Sequence, residues 1–508
     1  ETRNFENEVV VSSLMKLSGF ITPRTFFVNV DLDTVNNSSK NFRYIFQEKP
    51  SKEMIEYNGF REGPMFEVNE SFRWDDILNG VFRKNDSNPL MIAKLLNNNW
   101  ANRTEANAEI AIQGLEMFNK AIFYSYNSED QLNYNYIGED QSIFYMFDAA
   151  SLALLTEHAM TNHNRAFFFN KLENQFYPIY YDGNSNIVEL GHVRGRPDYG
   201  MIDEIATAAL YLYQNLDIDI ENFYQELIEN NVSIEKSQAE YILNKYFGNL
   251  NTISGYKASN PIVYNSFQEN NDFIIYKEGF HYYFYNSANK NLQKCDPFLD
   301  RCEIKVDVPI NREILSKKIE IDGSYGYLLG QDVQTFLNDE IKYELKSLII
   351  ENSVKLNVYG TPPPVVNIDK ELRNIDINFS NNSQRVVFEG PGTLNNWKIV
   401  ANANAGVNST EERQDHNLLT GCLSFYKIKV ENLEIITDKM FCEDSLNIVN
   451  STGVIDNIEV SNSASDGLDL DFSEIKINRL NISSSGNDCA DFSSGGYIVM
   501  KAELSDCL

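Results

Sequence analysis

Three of the chain's five histidines, His158, His163 and His192, fall close together. The densest polar segment is Thr156-Glu-His-Ala-Met-Thr-Asn-His-Asn-Arg165. It begins in the last turns of a helix expected to end near Met160. It precedes a hairpin that delivers Tyr180-Tyr-Asp-Gly-Asn184. A polar loop after a helix, followed by a strand that ends in an Asp, can converge on one point. Kinase-type centres are built this way: a loop Asn and a strand-end Asp hold the metal on the nucleotide phosphates. The plainer reading is a loop capped by its own Asn and His side chains.

A second set of acids lies near the C-terminal end. Asp444, Asp466 and Asp488 are spaced by 22 residues, and so are Asn447, Asp469 and Asp491. If each 22-residue unit is one turn of a solenoid, equivalent residues stack about 4.8 Å apart. Like charges at that spacing repel by about 3 kcal/mol at an effective dielectric near 20. A bound cation, a raised pKa or wide solvation must relieve this. The columns therefore read as a glycosidase acid and base, as a Ca²⁺ site, or as turn residues in solvent.

The elements that must position these residues fall into three zones. Residues 1–250 read as α+β. Thr25–Asp31 and Phe42–Glu48 form a hairpin, and Ala166–Asn170 with Gln175–Asp182 a second. Helical spacing of apolar residues marks Pro89–Asn99, Glu105–Phe123, Ile143–Met160, Ile202–Gln214 and Ile220–Glu229. Residues 251–364 read as a small β-rich connector with aromatic strands at Phe273–Lys277 and His281–Tyr285, then a helix at Val333–Leu345. Cys295 and Cys302 bracket a loop that a disulfide could close.

Residues 365–508 carry the pattern apolar-x-x-apolar-x-apolar six times, beginning at Leu372, Leu394, Val430, Ile455, Ile477 and Val499. A period in the twenties with short strands and Asn/Ser/Gly turns predicts a right-handed parallel β-helix of at least six rungs. One longer step holds an insertion, Ala401–Gly421, expected to loop out. The final rung shows no polar cap, and the chain opens at Glu1, not Met. Both outer domains therefore read as incomplete.

Residues 17–75 and 143–184 resemble the CotH family of atypical protein kinases. The first block is Leu17-Ser-Gly-Phe-Ile-Thr-Pro-Arg24, Phe27-Val-Asn-Val30, Tyr44-Ile-Phe-Gln-Glu48 and Lys52-Glu-Met-Ile-Glu-Tyr-Asn-Gly59. The second is His163-Asn-Arg-Ala-Phe-Phe-Phe169 and Pro178-Ile-Tyr-Tyr-Asp182. The resemblance implies ATP- and Mg²⁺- or Mn²⁺-dependent phosphoryl transfer to protein hydroxyls. It makes Asn164 and Asp182 metal-binding catalytic residues, with Asn184 in place of a second Asp. Glu48 would belong to the nucleotide site, and His158 and Tyr181 would line it. The family's Asp shortly before its Asn is missing, which leaves Glu157 or His158 as substitute base. At the carbonyl end of a helix dipole His158 would be held charged and Glu157 pushed toward a useful pKa, so Glu157 is the expected base.

Ser465-Asp-Gly-Leu-Asp-Leu-Asp471 and Asn487-Asp-Cys-Ala-Asp-Phe-Ser-Ser-Gly495 are similar to elements of polygalacturonases of glycoside hydrolase family 28. That likeness makes Asp466 and Asp488 catalytic candidates, with Asn487 where a third Asp is expected. It supplies the alternative function: a surface β-helix that binds or cleaves polysaccharide, beside a degenerate kinase-like domain.

Composition narrows the classes. Of 508 residues, 43 are Lys or Arg and 73 Asp or Glu, a formal net charge of −30. Such a surface repels phosphate backbones and anionic lipid, so nucleic acid is an improbable partner. Hydrophobic residues at 43% allow a large core. No apolar run reaches the ~18 residues of a membrane span. Six cysteines without a CxxC argue against structural zinc and leave the compartment open, with an extracellular or cell-surface place favoured.

Overall fold

Helix Phe5–Leu17 carries the central apolar stripe of the N-terminal half: Val9, Val10, Val11, Leu14 and Met15 are all fully buried. The computed structural model describes residues 5–33, 39–68, 93–123, 132–161, 164–188, 202–256, 273–278, 281–286, 291–295, 302–306, 327–329, 346–351, 353–404, 413–415 and 417–508. The chain divides into two units, Glu1–Asn58 with Glu62–Phe336, and Gly59–Arg61 with Leu337–Leu508.

In the first unit, helices Ser142–Ala153, Asp203–Asn215, Ile220–Glu229 and Lys236–Ser254 share one core with Phe5–Leu17. Their starts are locally encoded. Asp219 accepts from Asn222 N, and Glu235 with Gln238 forms a capping box. The first hairpin pairs Thr25–Asp33 with Ser39–Gln47, Thr25 opposite Gln47. A four-stranded antiparallel sheet runs in the order Ala93–Leu95, Met65–Val68, Ala166–Asn170, Gln175–Ile179. The aromatic strands Phe273–Glu278 and His281–Asn286 sit in a five-stranded antiparallel sheet. Cys295 and Cys302 are opposed across one of its hairpins; their side chains, like the expected helix Val333–Leu345, lie outside the described residues.

Several sequence expectations are corrected here. The helix expected over Pro89–Asn99 is instead strand Ala93–Leu95 followed by the short helix Asn98–Ala101. Asn97 Oδ1 accepts from Met65 N, fastening that turn to the sheet. The helix expected over Ile143–Met160 ends at Ala153. Leu155 adopts φ 59°, and Glu157–Met160 is a separate single turn. Helices Phe5–Leu17 and Lys236–Ser254 were not expected. Val9-Val-Val reads as strand, and the second is polar on most of its surface.

The second unit is a β-solenoid of about five turns. In one column, Asn374–Phe379, Lys398–Ala403, Lys429–Asp438, Thr452–Ser463 and the far half of Asp466–Ser485 pair in parallel, with Ala502–Cys507 after them. Ile375, Ile399, Ile435, Ile458 and Leu480 stack down its interior, all buried. A second column stacks Arg385–Glu389, Gly421–Tyr426, Asp444–Val449, the near half of Asp466–Ser485 and Ala490–Val499. Phe388 and Phe425 stack face to face there at 4.9 Å. Gly453 permits the turn spacing: at φ 126° its Cβ would lie 1.9 Å from Val430 O. The sheet begins at Lys346–Ile349, ahead of residue 365, with antiparallel strands at that end. Leu372, expected inside, is 78% exposed, and Leu504 is 53% exposed. Disulfides Cys422–Cys442 and Cys489–Cys507 join cysteines that sequence spacing left unpaired.

Candidate functional site

In the first unit the two parts of the predicted centre meet. Strand Gln175–Ile179 continues through buried Tyr180 to Asp182, held by Tyr180 N donating to Ile21 O at 2.9 Å. Asp182 and Asn184 take left-handed φ values of 45° and 52°, which Asp and Asn tolerate better than other side chains. Between them Gly183 leaves no room for a side chain: its Cβ would sit 2.3 Å from the Tyr180 hydroxyl. Asn164 Nδ2 faces Asp182 O at 3.4 Å and His158 O at 3.3 Å. These two carbonyls point the amide nitrogen inward and leave Oδ1 on the other side.

His158 lies between them. Its Nδ1 is 2.8 Å from Asp182 O, 2.5 Å from Asn164 Nδ2 and 3.6 Å from Asp182 Oδ2. A proton on Nδ1 suits the carbonyl, and a lone pair suits the amide. In either state Nδ1 is spent on these neighbours. Glu157 does not stand at a helix C-terminus as expected: it opens the single turn Glu157–Met160. The carbonyl-end dipole argument for it therefore fails, and a four-residue turn has little dipole to offer.

Asp182 Oδ1 is buried with no hydrogen-bond partner among the described residues. An orphan carboxylate oxygen is costly unless something else meets it. Among the described residues no group of three or more His, Cys, Asp or Glu side chains is arranged to hold a metal ion. The site instead offers the Asp182 carboxylate and the Asn164 carboxamide, with Asn184 two residues along the same turn. That donor set fits Mg²⁺, which takes one or two protein carboxylates and completes its shell with water and phosphate oxygens.

Sequence reasoning missed Glu8, which is fully buried. Its Oε2 accepts from the Tyr180 hydroxyl at 3.1 Å and its Oε1 from Gln47 Nε2 at 3.2 Å. Burial, with Asp182 nearby, pushes its carboxyl up to about 7. Glu48 is buried and pairs with Arg24, whose Nε donates to Oε2 at 2.9 Å. Its neighbour Gln47 is the hairpin residue that contacts Glu8. Tyr181 is 37% exposed. Arg165, next to Asn164, is buried and clamps the loop: Nε donates to Met160 O at 2.7 Å, and Nη1 pairs with Asp148 Oδ1 at 2.9 Å.

In the second unit the acid columns form as spaced. Asp444 pairs in register with Asp466, Asn447 with Asp469, and Asp469 with Asp491. They are not uniformly solvated: Asp444, Asp466 and Asp469 are buried, whereas Asp488 and Asp491 are exposed. Burial is the main cause that pushes Asp444 up to about 7 and Asp469 up to about 8. Arg61 supplies a positive charge. Its Nη2 is 3.0 Å from Asp469 Oδ2, its Nε donates to Asp471 Oδ2 at 2.8 Å, and its Nη1 donates to Thr420 Oγ1 at 2.8 Å. A guanidinium thus stands where a Ca²⁺ ion was one expectation. Asp466 Oδ1 accepts from Asn487 Nδ2 at 2.8 Å and Asp488 N at 3.0 Å. It locks the next turn.

Comparison with known proteins finds no matching family model, no matching curated protein and no matching solved structure.

Proposed function

We propose that the first unit transfers a phosphoryl group from ATP to protein hydroxyls in a reaction dependent on Mg²⁺ or Mn²⁺, as in CotH-like atypical kinases. The observation that carries this reading is the convergence of Asn164 and Asp182, with a buried carboxylate oxygen of Asp182 unmet among the described residues. When bound, the metal would neutralise charge on the nucleotide phosphates. Asp182 Oδ1, Asn164 Oδ1 and Asn184 are the groups that would hold it. The Glu8–Tyr180 contact and the Arg165 clamp fix Asp182 and Asn164 on rigid elements, so the pair is set before substrate arrives. Glu157 is the proposed acceptor of the hydroxyl proton; His158 Nδ1 is occupied, which leaves only its Nε2 for that role.

A polysaccharide-directed solenoid is the second reading, favoured by the raised carboxyls of Asp444 and Asp469. Against it, Asp466 is spent on the following turn and Asp469 on Arg61. The two disulfides suit an oxidising compartment, hence a secreted or surface protein. Mn²⁺ binding to the full chain, followed by electron paramagnetic resonance with and without ATP, tests the kinase reading. Binding that needs ATP and falls at least tenfold in Asp182→Ala is expected; Mn²⁺ uptake unchanged by Asp182→Ala would remove the site.

A further inference from the structure

A cavity of about 110 Å³ opens in the first unit between the helix Phe5–Leu17, the Thr22–Phe26 turn, Tyr57 and the helix Ile220–Glu229. That is the liquid volume of about three to four waters. In a chain of net charge −30, this cavity is lined by two cations, Lys16 and Arg24, and by a single carboxylate, Glu226. Both cations converge on one ring. Lys16 Nζ lies 4.8 Å and Arg24 Cζ 5.4 Å from the Tyr57 centroid. Lys16 also donates to the Tyr57 hydroxyl, which places its ammonium at the ring's edge.

Each cation already has a carboxylate partner. Lys16 Nζ donates to Tyr57 and to both Glu226 oxygens, at 3.0 and 3.2 Å, so an incoming anion displaces part of that pairing. Arg24 gives Nε and Nη2 to Glu48, leaving Nη1 without a hydrogen bond among the described residues. A guanidinium held by one edge presents its remaining N–H groups in a fixed fork, which matches a tetrahedral oxyanion. The rest of the lining is mostly hydroxyl and amide, from Ser12, Ser13, Thr22, Thr25 and Asn230, with Pro23 and Phe26 as its apolar part.

We infer that this cavity binds a compact tetrahedral oxyanion, a phosphoryl group held between Lys16 and Arg24. The site is separate from Asp182 and stands whether or not the first unit transfers phosphate. Glu226 is its brake, since it shares Lys16 Nζ with any incoming anion. Calorimetric titration of the full chain with inorganic phosphate, and in a second arm with O-phosphoserine, tests the assignment at fixed ionic strength. Saturable one-site binding is expected, weakened at least tenfold in Lys16→Gln and in Arg24→Gln. Phosphoserine binding at least tenfold tighter than phosphate would show that the group arrives on a larger molecule, and equal binding that the free anion is the ligand. Glu226→Gln should tighten binding several-fold, a gain that misfolding cannot produce. Absent binding, chloride competing as well as phosphate, or an affinity unchanged by Glu226→Gln would overturn the inference.

Discussion

At the scale of residues, the candidate centre depends on which side chains remain available for chemistry. His158 was the attractive base by type alone. Its position between Asp182 O and Asn164 Nδ2 makes it a spacer that sets their distance. If Glu157 takes the proton, single-turnover phosphoryl transfer should fall about 100-fold in Glu157→Gln and less than tenfold in His158→Gln. The reverse order would make His158 the base. That the polar loop with His158 and Asn164 meets the strand-end Asp182 was legible from spacing, because loop and strand termini are encoded locally; the roles of these residues rest on the family resemblance. Glu8 and Arg61 were not legible. Each acts on residues far along the chain, and neither lies in a motif: Glu8 sits among helix acids, and Arg61 in a short run of mixed charge.

At the scale of elements, the loop that carries Asn164 is held by a buried charge pair as well as by its own turns, where Asn164 N donates to Thr161 O at 2.9 Å. Arg165 and Asp148 are 2% and 1% exposed, and Tyr134 donates to the same Asp148 carboxylate. Removing one partner strands the other charge in the core. Arg165→Met should cost roughly 3–5 kcal/mol. Chemical denaturation of the first unit checks this; a change below 1 kcal/mol would mean the pair is dispensable. The solenoid was legible because its period repeats, so each turn tests the reading of the last. Its opening was less so. Antiparallel strands at that end, such as Lys346–Ile349 on Lys355–Tyr359, do not follow the repeat, and Leu372 falls outside the core. The segment around Pro89 failed because its apolar residues suit either period over so short a run.

At the scale of the whole molecule, charge and buried acids act in one direction. Glu8 and Asp444 are raised to about 7 and Asp469 to about 8, from ordinary values near 4. Between pH 4 and 8 the folded chain therefore holds protons that the unfolded chain has released. The unfolded state binds fewer, so stability falls as pH rises through that window. Self-repulsion among the 73 acidic residues adds to the fall. Calorimetry should show melting temperatures lower at pH 8 than at pH 5, with the fall in the solenoid's transition reduced in Asp444→Asn. Melting that rises over this range would mean these acids are ionised when folded.

The central claim is that Asp182 and Asn164 form a phosphoryl-transfer centre. The most direct test is transfer of label from γ-labelled ATP, with Mg²⁺ or Mn²⁺, to the full chain or an added protein acceptor. We predict metal-dependent labelling that falls at least 100-fold in Asp182→Ala while the folded state is retained. Equal labelling in Asp182→Ala and the unaltered chain, or none in either, would contradict the account.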